Sequence, residues 1–273
     1  MAKIVTITNP LTGQPAQVDQ LDHTAQQIDD GLNIARGVSN PNLLDNWYFG
    51  NPVNQRNVSG TIDTVGYFLD RWKLVSGSVT IGSNGITLNG TIVQILETAV
   101  GTDVTASALT TEGVVVASYD DSSKTFSLTG TGQTFVAAKL ELGSQQTLAH
   151  QENGVWVLNE IPDYGEQLRR CQRYCFVWDY GAVNNSCLAV FQAYSSTNAF
   201  GIIPTPVTLR ANPVVSGGTL IAGGKKVALF AIVKCANGIR AIAVVSDGNL
   251  TVGQAVGIEN GNDNDRVVFS ADL

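Results

Sequence analysis

Apolar residues at Val18, Leu21, Ala25, Ile28, Leu32 and Ala35 are separated alternately by three and four positions, the a/d seam of a coiled coil. Gly37 supplies a C′ stop. A helix of this length is marginal in water by itself, so the pattern predicts that it is held by copies of itself or by the next domain; symmetric self-association is the simplest partner, with the a and d residues leaning toward more than two strands. Upstream, Ile4, Thr6 and Thr8 alternate before the turn composition Asn9-Pro10-Leu11-Thr12-Gly13, which describes a short arm. Residues 1–37 therefore read as an arm plus an oligomerising helix.

After the turn-rich hinge Val38-Ser39-Asn40-Pro41-Asn42 the period changes to that of strands. Runs of β type at 66–75, 78–82, 85–96, 113–119, 124–129 and 133–142 are each bounded by Gly, Asn, Asp or Ser. This predicts a β-sandwich or jelly roll over 38–162. Gly130-Thr131-Gly132 and Gly217-Gly218 read as turns, because no amphipathic helix follows to make a phosphate loop.

Pro162-Asp163-Tyr164-Gly165-Glu166 reads as a helix start, with Asp163 as N-cap and Glu166 as its capping-box partner. Leu168, Cys171 and Cys175 are expected on one face of that helix. Further runs at 187–194, 199–203, 226–235, 238–246 and 266–271 follow, with a hairpin predicted at Asn237-Gly238. Residues 163–273 are thus expected to form a capped helix plus a second sandwich-like domain. The expected fold class is all-β, with two sandwich or jelly-roll-like domains after the N-terminal arm and helix.

Composition sharpens this picture. The 273 residues are 44% hydrophobic and 14% charged with 28 glycines, which suits a turn-punctuated β protein with ample core. Net charge is −7 and the 16 Lys and Arg are scattered, so no nucleic-acid partner is expected. A signal peptide and a membrane span are not expected either, since no long uncharged apolar run occurs. Cys171, Cys175, Cys187 and Cys235 lack CxxC spacing and read as reduced thiols.

Candidate chemistry is sparse. The two histidines, His23 and His150, are not set near a nucleophile motif, so no catalytic residue is named and no cofactor is expected. A glycan-cleaving enzyme needs two carboxylates, for which Glu97, Asp120, Asp121, Glu141 and Glu160 are candidates, each in an ordinary turn or strand context. Asn262, Asp263 and Asp265 concentrate oxygens that suit Ca²⁺ but lack an EF-hand frame. Trp72 and Trp156 are expected in the core. Sugar recognition needs an aromatic platform flanked by polar side chains. Trp178, Asp179, Tyr180, Asn184, Asn185 and Tyr194 have that chemistry.

Several stretches, in this order, resemble the modular fibre and receptor-binding proteins of tailed bacteriophages and their prophages. Asn42-Leu43-Leu44-Asp45-Asn46, Asn51-Pro52-Val53-Asn54-Gln55-Arg56 and Gly66-Tyr67-Phe68-Leu69-Asp70-Arg71-Trp72 resemble the opening of their carbohydrate-binding-module-like jelly roll. Lys139-Leu140-Glu141-Leu142-Gly143 resembles its closing strand, and the run from Pro162 to Tyr174 the helix that follows. Phe269-Ser270-Ala271-Asp272-Leu273 resembles the usual chain ending, and His23-Thr24-Ala25-Gln26-Gln27-Ile28-Asp29 the particle-anchoring segment. The resemblance implies a virion protein folded in the host bacterial cytoplasm and assembled as a homotrimer. It would attach to other virion proteins through the N-terminal segment and to bacterial surface glycans through its β modules. Lack of a long stalk favours a compact tip or a head decoration. A head-fibre protein with incidental glycan binding and a polysaccharide depolymerase are the alternatives.

Overall fold

The computed structural model describes residues 39–179, 187–246, 248, 250–261 and 266–273. The seam residues Val18, Leu21, Ala25, Ile28, Leu32 and Ala35 lie outside these, as do Tyr180, Asn184, Asn185, Asn262, Asp263 and Asp265. The described residues are predominantly β, with one helix.

The first β region contains β1 (Gly60–Ile62), β2 (Gly66–Leu69), β3 (Trp72–Gly82), β4 (Gly85–Ile95), β5 (Val104–Thr110), β6 (Gly113–Val116), β7 (Ser118–Asp120) and β8 (Thr125–Leu142). Together they form an antiparallel sheet of order β1-β3-β4-β8-β5-β6, with β2 on β3 and β7 on β8. The 18-residue β8 is its spine: β4 pairs along Thr125 to Phe135, and β5 along Phe135 to Leu142. Trp72 is fully buried at the centre of the core, edge-on to Phe49 at 5.1 Å and to Phe126 at 6.0 Å, and its indole N–H donates to the Asn46 carbonyl at 2.8 Å. Trp156 is half-buried and packs against the same core from its rim.

Gly130-Thr131-Gly132 lies inside β8 rather than in a turn. Gly77, Gly90 and Gly130 are cross-strand neighbours on β3, β4 and β8. A Cβ at Gly90 would lie 2.1 Å from the Ser76 carbonyl oxygen, and one at Gly77 2.0 Å from that of Asn89. The row is a line of close backbone approach beside the bulges at Leu74/Ser76 and Leu88/Asn89. It bends the strands without ending them.

A small hairpin, β9 (Ala149–Glu152) with β10 (Val155–Leu158), leads to α1 (Tyr164–Gln172). Asp163 caps α1 as expected: its Oδ1 accepts the Glu166 backbone N–H at 2.8 Å. The helix is shorter than expected. Arg173 and Tyr174 donate to the Arg170 and Cys171 carbonyls, tightening the last turn, and Cys175 opens β11 (Cys175–Asp179) instead of extending the helical face. The aromatic and β-branched run Tyr174-Cys175-Phe176-Val177-Trp178 favours a strand.

The second β region adds β12 (Cys187–Ala193), β13 (Asn198–Pro204), β14 (Val214–Ser216), β15 (Leu220–Ala222), β16 (Lys225–Cys235), β17 (Gly238–Val245), β18 (Ala255–Asn260) and β19 (Arg266–Ser270). Where a sandwich was expected, β12-β13-β17-β16-β15-β18 close into a barrel, flanked by the sheet β11-β19-β14. Closure follows from β12 pairing with both β13 and β18. Inward-facing Ala189, Ala193, Ala199, Ala241 and Ala243 are small enough for so narrow a bore. Phe191 fills the space that Gly201 leaves empty, where a Cβ would come 2.2 Å from the ring. The hairpin at Asn237-Gly238 is present, with Asn237 at φ 52°.

Polar contacts join the two β regions. Asn46 N–H donates to Gln167 Oε1 at 2.7 Å, and Gln55 Nε2 donates to the Cys175 carbonyl at 2.8 Å. Arg56 ion-pairs with Asp272, and the Tyr67 hydroxyl donates to the Leu273 carbonyl.

Candidate functional site

An open cleft of about 450 Å³ lies along β5 and β6, within the range of roughly 300–1,000 Å³ usual for small-molecule sites. Its floor and walls come from Val104 to Ser107 and from Val114 to Ala117, with Gly101, Thr102, Tyr119, Asp121 and Gln146 around the rim. Ser107 and Val116 are direct cross-strand partners and so share one face of the sheet, yet Ser107 is buried and Val116, at the end of β6, is 92% exposed.

Asp121 organises the rim. Its Oδ1 accepts the backbone N–H groups of Val100 and Gly101 at 2.9 and 2.8 Å and the Tyr119 hydroxyl at 3.0 Å. These bonds, that from Gly101 foremost, hold its carboxyl below the ordinary carboxylate range. Burial raises the Tyr119 hydroxyl, helped by its bond to Asp121. The second Asp121 oxygen makes no hydrogen bond among the described residues. The buried Ser107 hydroxyl is also unpaired. The free carboxylate oxygen and the exposed valine, with Tyr119 lining the same cleft, are groups that suit a sugar's hydroxyls and its apolar face.

Residues singled out in the sequence are dispersed. Trp178 is half-buried against the barrel core, paired across to Val267 on β19. Asp179 forms an ion pair with Arg266 at 2.5 Å. Tyr194 and Phe200 are each 46% exposed, with ring centroids 6.0 Å apart, on a barrel face that also exposes Val190 and Ile202. The described candidates thus sit on two different faces of the second β region.

The carboxylates considered for glycan cleavage all have local partners. Asp120 accepts from Ser122 and Ser123 in a turn. Glu97 takes a two-pronged bond from Arg173, which lowers its carboxyl. Buried Glu141 accepts the Thr147 N–H at 2.7 Å and the Thr147 hydroxyl, and lies 3.6 Å from Lys139, whose ammonium is 3.9 Å from Glu160. His150 Nδ1 lies 2.5 Å from Asn159 Oδ1. All four cysteines are free, and burial pushes the Cys171 and Cys175 thiols up.

Among the described residues no three His, Cys, Asp or Glu side chains gather where a metal could sit, and no helix is long and apolar enough to cross a membrane. Sequence reasoning had named Asp121 only as an acid and had missed Ser107, Val116 and Tyr119. Polar and apolar residues alternate along β5 but not along β6, Gly-Val-Val-Val, so no local pattern singles out Val116 or ties it to Ser107. Compared with known proteins, the chain matches no family model, no curated protein and no solved structure.

Proposed function

We propose that this chain is a non-enzymatic fibre or receptor-binding protein of a tailed bacteriophage virion, which attaches to glycans on the bacterial surface. The observation that carries the reading is the β5–β6 cleft, with its free Asp121 oxygen and exposed Val116. In this reading the first β region is the carbohydrate-binding-module-like jelly roll of such proteins, and residues 1–37 join the chain to other virion proteins. Three copies would display three clefts, and such multivalency raises avidity by roughly 10²–10⁴ without any new contact. The partnered state of Glu97, Asp120, Glu141 and Glu160 favours binding over hydrolysis.

The test is adsorption of the full chain to bacterial surface polysaccharide, alongside its molar mass by light scattering. Val116→Asp changes a residue 92% exposed in the cleft, so it should leave the thermal midpoint unchanged while reducing adsorption at least tenfold. Adsorption equal to that of the unaltered chain would overturn the cleft as the glycan site, and a monomeric mass would overturn the trimer.

A further inference from the structure

A second cleft, of about 320 Å³, opens where α1 meets the first β region. Its walls carry Leu43, Leu96 and Val100, and its charged groups are Asp45, Glu97, Arg71, Arg170 and Arg173. Three guanidinium groups thus face two carboxylates, in a chain whose net charge is −7.

The pairing leaves a positive excess. Asp45 serves two arginines: its Oδ2 takes Arg71 Nε at 3.1 Å and its Oδ1 takes Arg170 Nε at 2.8 Å. Glu97 is fully engaged by Arg173, through both carboxylate oxygens at 3.1 Å. Arg71 is 2% exposed, donates from Nη2 to the Ile95 carbonyl at 2.7 Å, and has no hydrogen-bond partner at Nη1 among the described residues. Close by, Arg210 donates to the Ala271 and Asp272 carbonyls, not to a carboxylate. A buried cation with an unused donor, which shares its one ion-paired carboxylate with a second arginine and feels Asp272 only without an ion pair, is a costly arrangement that a bound anion relieves.

The arrangement is also rigid. Gln94 holds the Asp45 backbone from both sides, accepting its N–H at 2.7 Å and donating to its carbonyl at 2.8 Å. The Tyr174 ring fixes the Arg71 guanidinium at 3.5 Å. Arginine forks fixed in this way suit the paired oxygens of carboxylates and phosphates.

We propose that this cleft binds an oxyanion, the carboxylate or phosphate of a ligand about the size of one sugar residue. Arg170 and Arg173 supply the accessible donors, and Arg71 supplies the uncompensated charge beneath them. The proposal stands apart from the β5–β6 cleft, with which it shares no lining residue, although the Val100 backbone N–H donates to Asp121 at the rim of the other.

The experiment is calorimetric titration of the full chain, at fixed ionic strength, with sodium glucuronate, glucose 6-phosphate and glucose. Saturable binding of one or both acidic sugars at one per chain, with glucose at least tenfold weaker, is expected. Which acid binds tells carboxylate from phosphate. Arg170→Gln leaves Asp45 paired with Arg71 and should weaken the acidic sugar at least tenfold. Arg169→Gln, an exposed change on the same helix outside the cleft, should not. Arg173→Gln provides a second reading if Arg170→Gln fails to fold. Absence of saturable binding, equal binding of glucose, or equal losses in the Arg169 and Arg170 variants would overturn the site.

Discussion

The Arg71 guanidinium lies over the Tyr174 ring, its carbon 3.5 Å from the ring centroid. Arg71 immediately precedes β3 with φ 71°, and Tyr174 stands between α1 and β11, so this contact joins the two β regions across their shared boundary. Burial pushes the Tyr174 hydroxyl up to about 12 against the opposing effect of Arg71, so the ring is neutral at physiological pH.

Replacing Tyr174 with Leu keeps apolar bulk and removes the π face. A desolvated cation–π pair contributes about 2 kcal/mol, and Tyr174→Leu should cost roughly that much in denaturant unfolding. Unchanged stability would reduce the ring to a space-filler.

Asp70 should make the protein more stable as pH falls from neutrality. Burial raises its carboxyl to about 6, against the opposing effects of the Gln55 backbone and side-chain bonds and of Arg56. A raised carboxyl binds its proton more tightly in the folded state. This group's contribution therefore grows as pH drops through about 6 and levels off near 4, totalling roughly 3 kcal/mol. Asp272, raised mainly by burial, acts in the same direction. Glu97, lowered by Arg173, acts oppositely, and only at more acid pH. Denaturation midpoints between pH 7 and 5 should rise for the unaltered chain and flatten for Asp70→Asn. Parallel curves would mean that Asp70 keeps its ordinary acidity.

Gly90→Ala should be among the most damaging single-methyl additions in the chain. Its Cβ would meet the Ser76 carbonyl oxygen at 2.1 Å on a backbone with φ 149°, so β3 and β4 would have to separate. We expect a loss of about 2 kcal/mol or more, measured by thermal or denaturant unfolding. Gly132→Ala is the comparison, with no atom within 4 Å of its Cβ although its φ is also positive. Equal losses would assign the cost to backbone strain alone.

Features written in adjacent residues were legible in the sequence. The Asp163 cap and the Asn237-Gly238 hairpin are local devices, and each stands where its residues placed it. Features set by distant partners were not. A period of two suits a sandwich and a barrel equally, and the difference lies in which strand meets β12 on its second edge. The glycines of β8 look like a turn until Gly90 and Gly77 are placed beside them. Asp121 was visible as an acid, but nothing local indicated that it would clamp the Val100-Gly101 backbone and so shape a cleft. The arginine cluster was equally hidden, because Asp45, Arg71, Glu97 and Arg170 come together only after the helix docks.

The segment from Asn40 to Phe49 runs beside the far half of β8. Leu43 N–H donates to the Leu140 carbonyl, Ala138 N–H to that of Trp47 and Phe49 N–H to that of Val136. Asn42 spans the same strand through Ala138 and Leu140, and Asn40 is tied to Thr147 and Leu142. These bonds lie across the strand direction. The segment thereby occupies the edge of β8 that β4 leaves open beyond Phe135, so a chain shortened past Phe49 would present a row of unpaired backbone groups there.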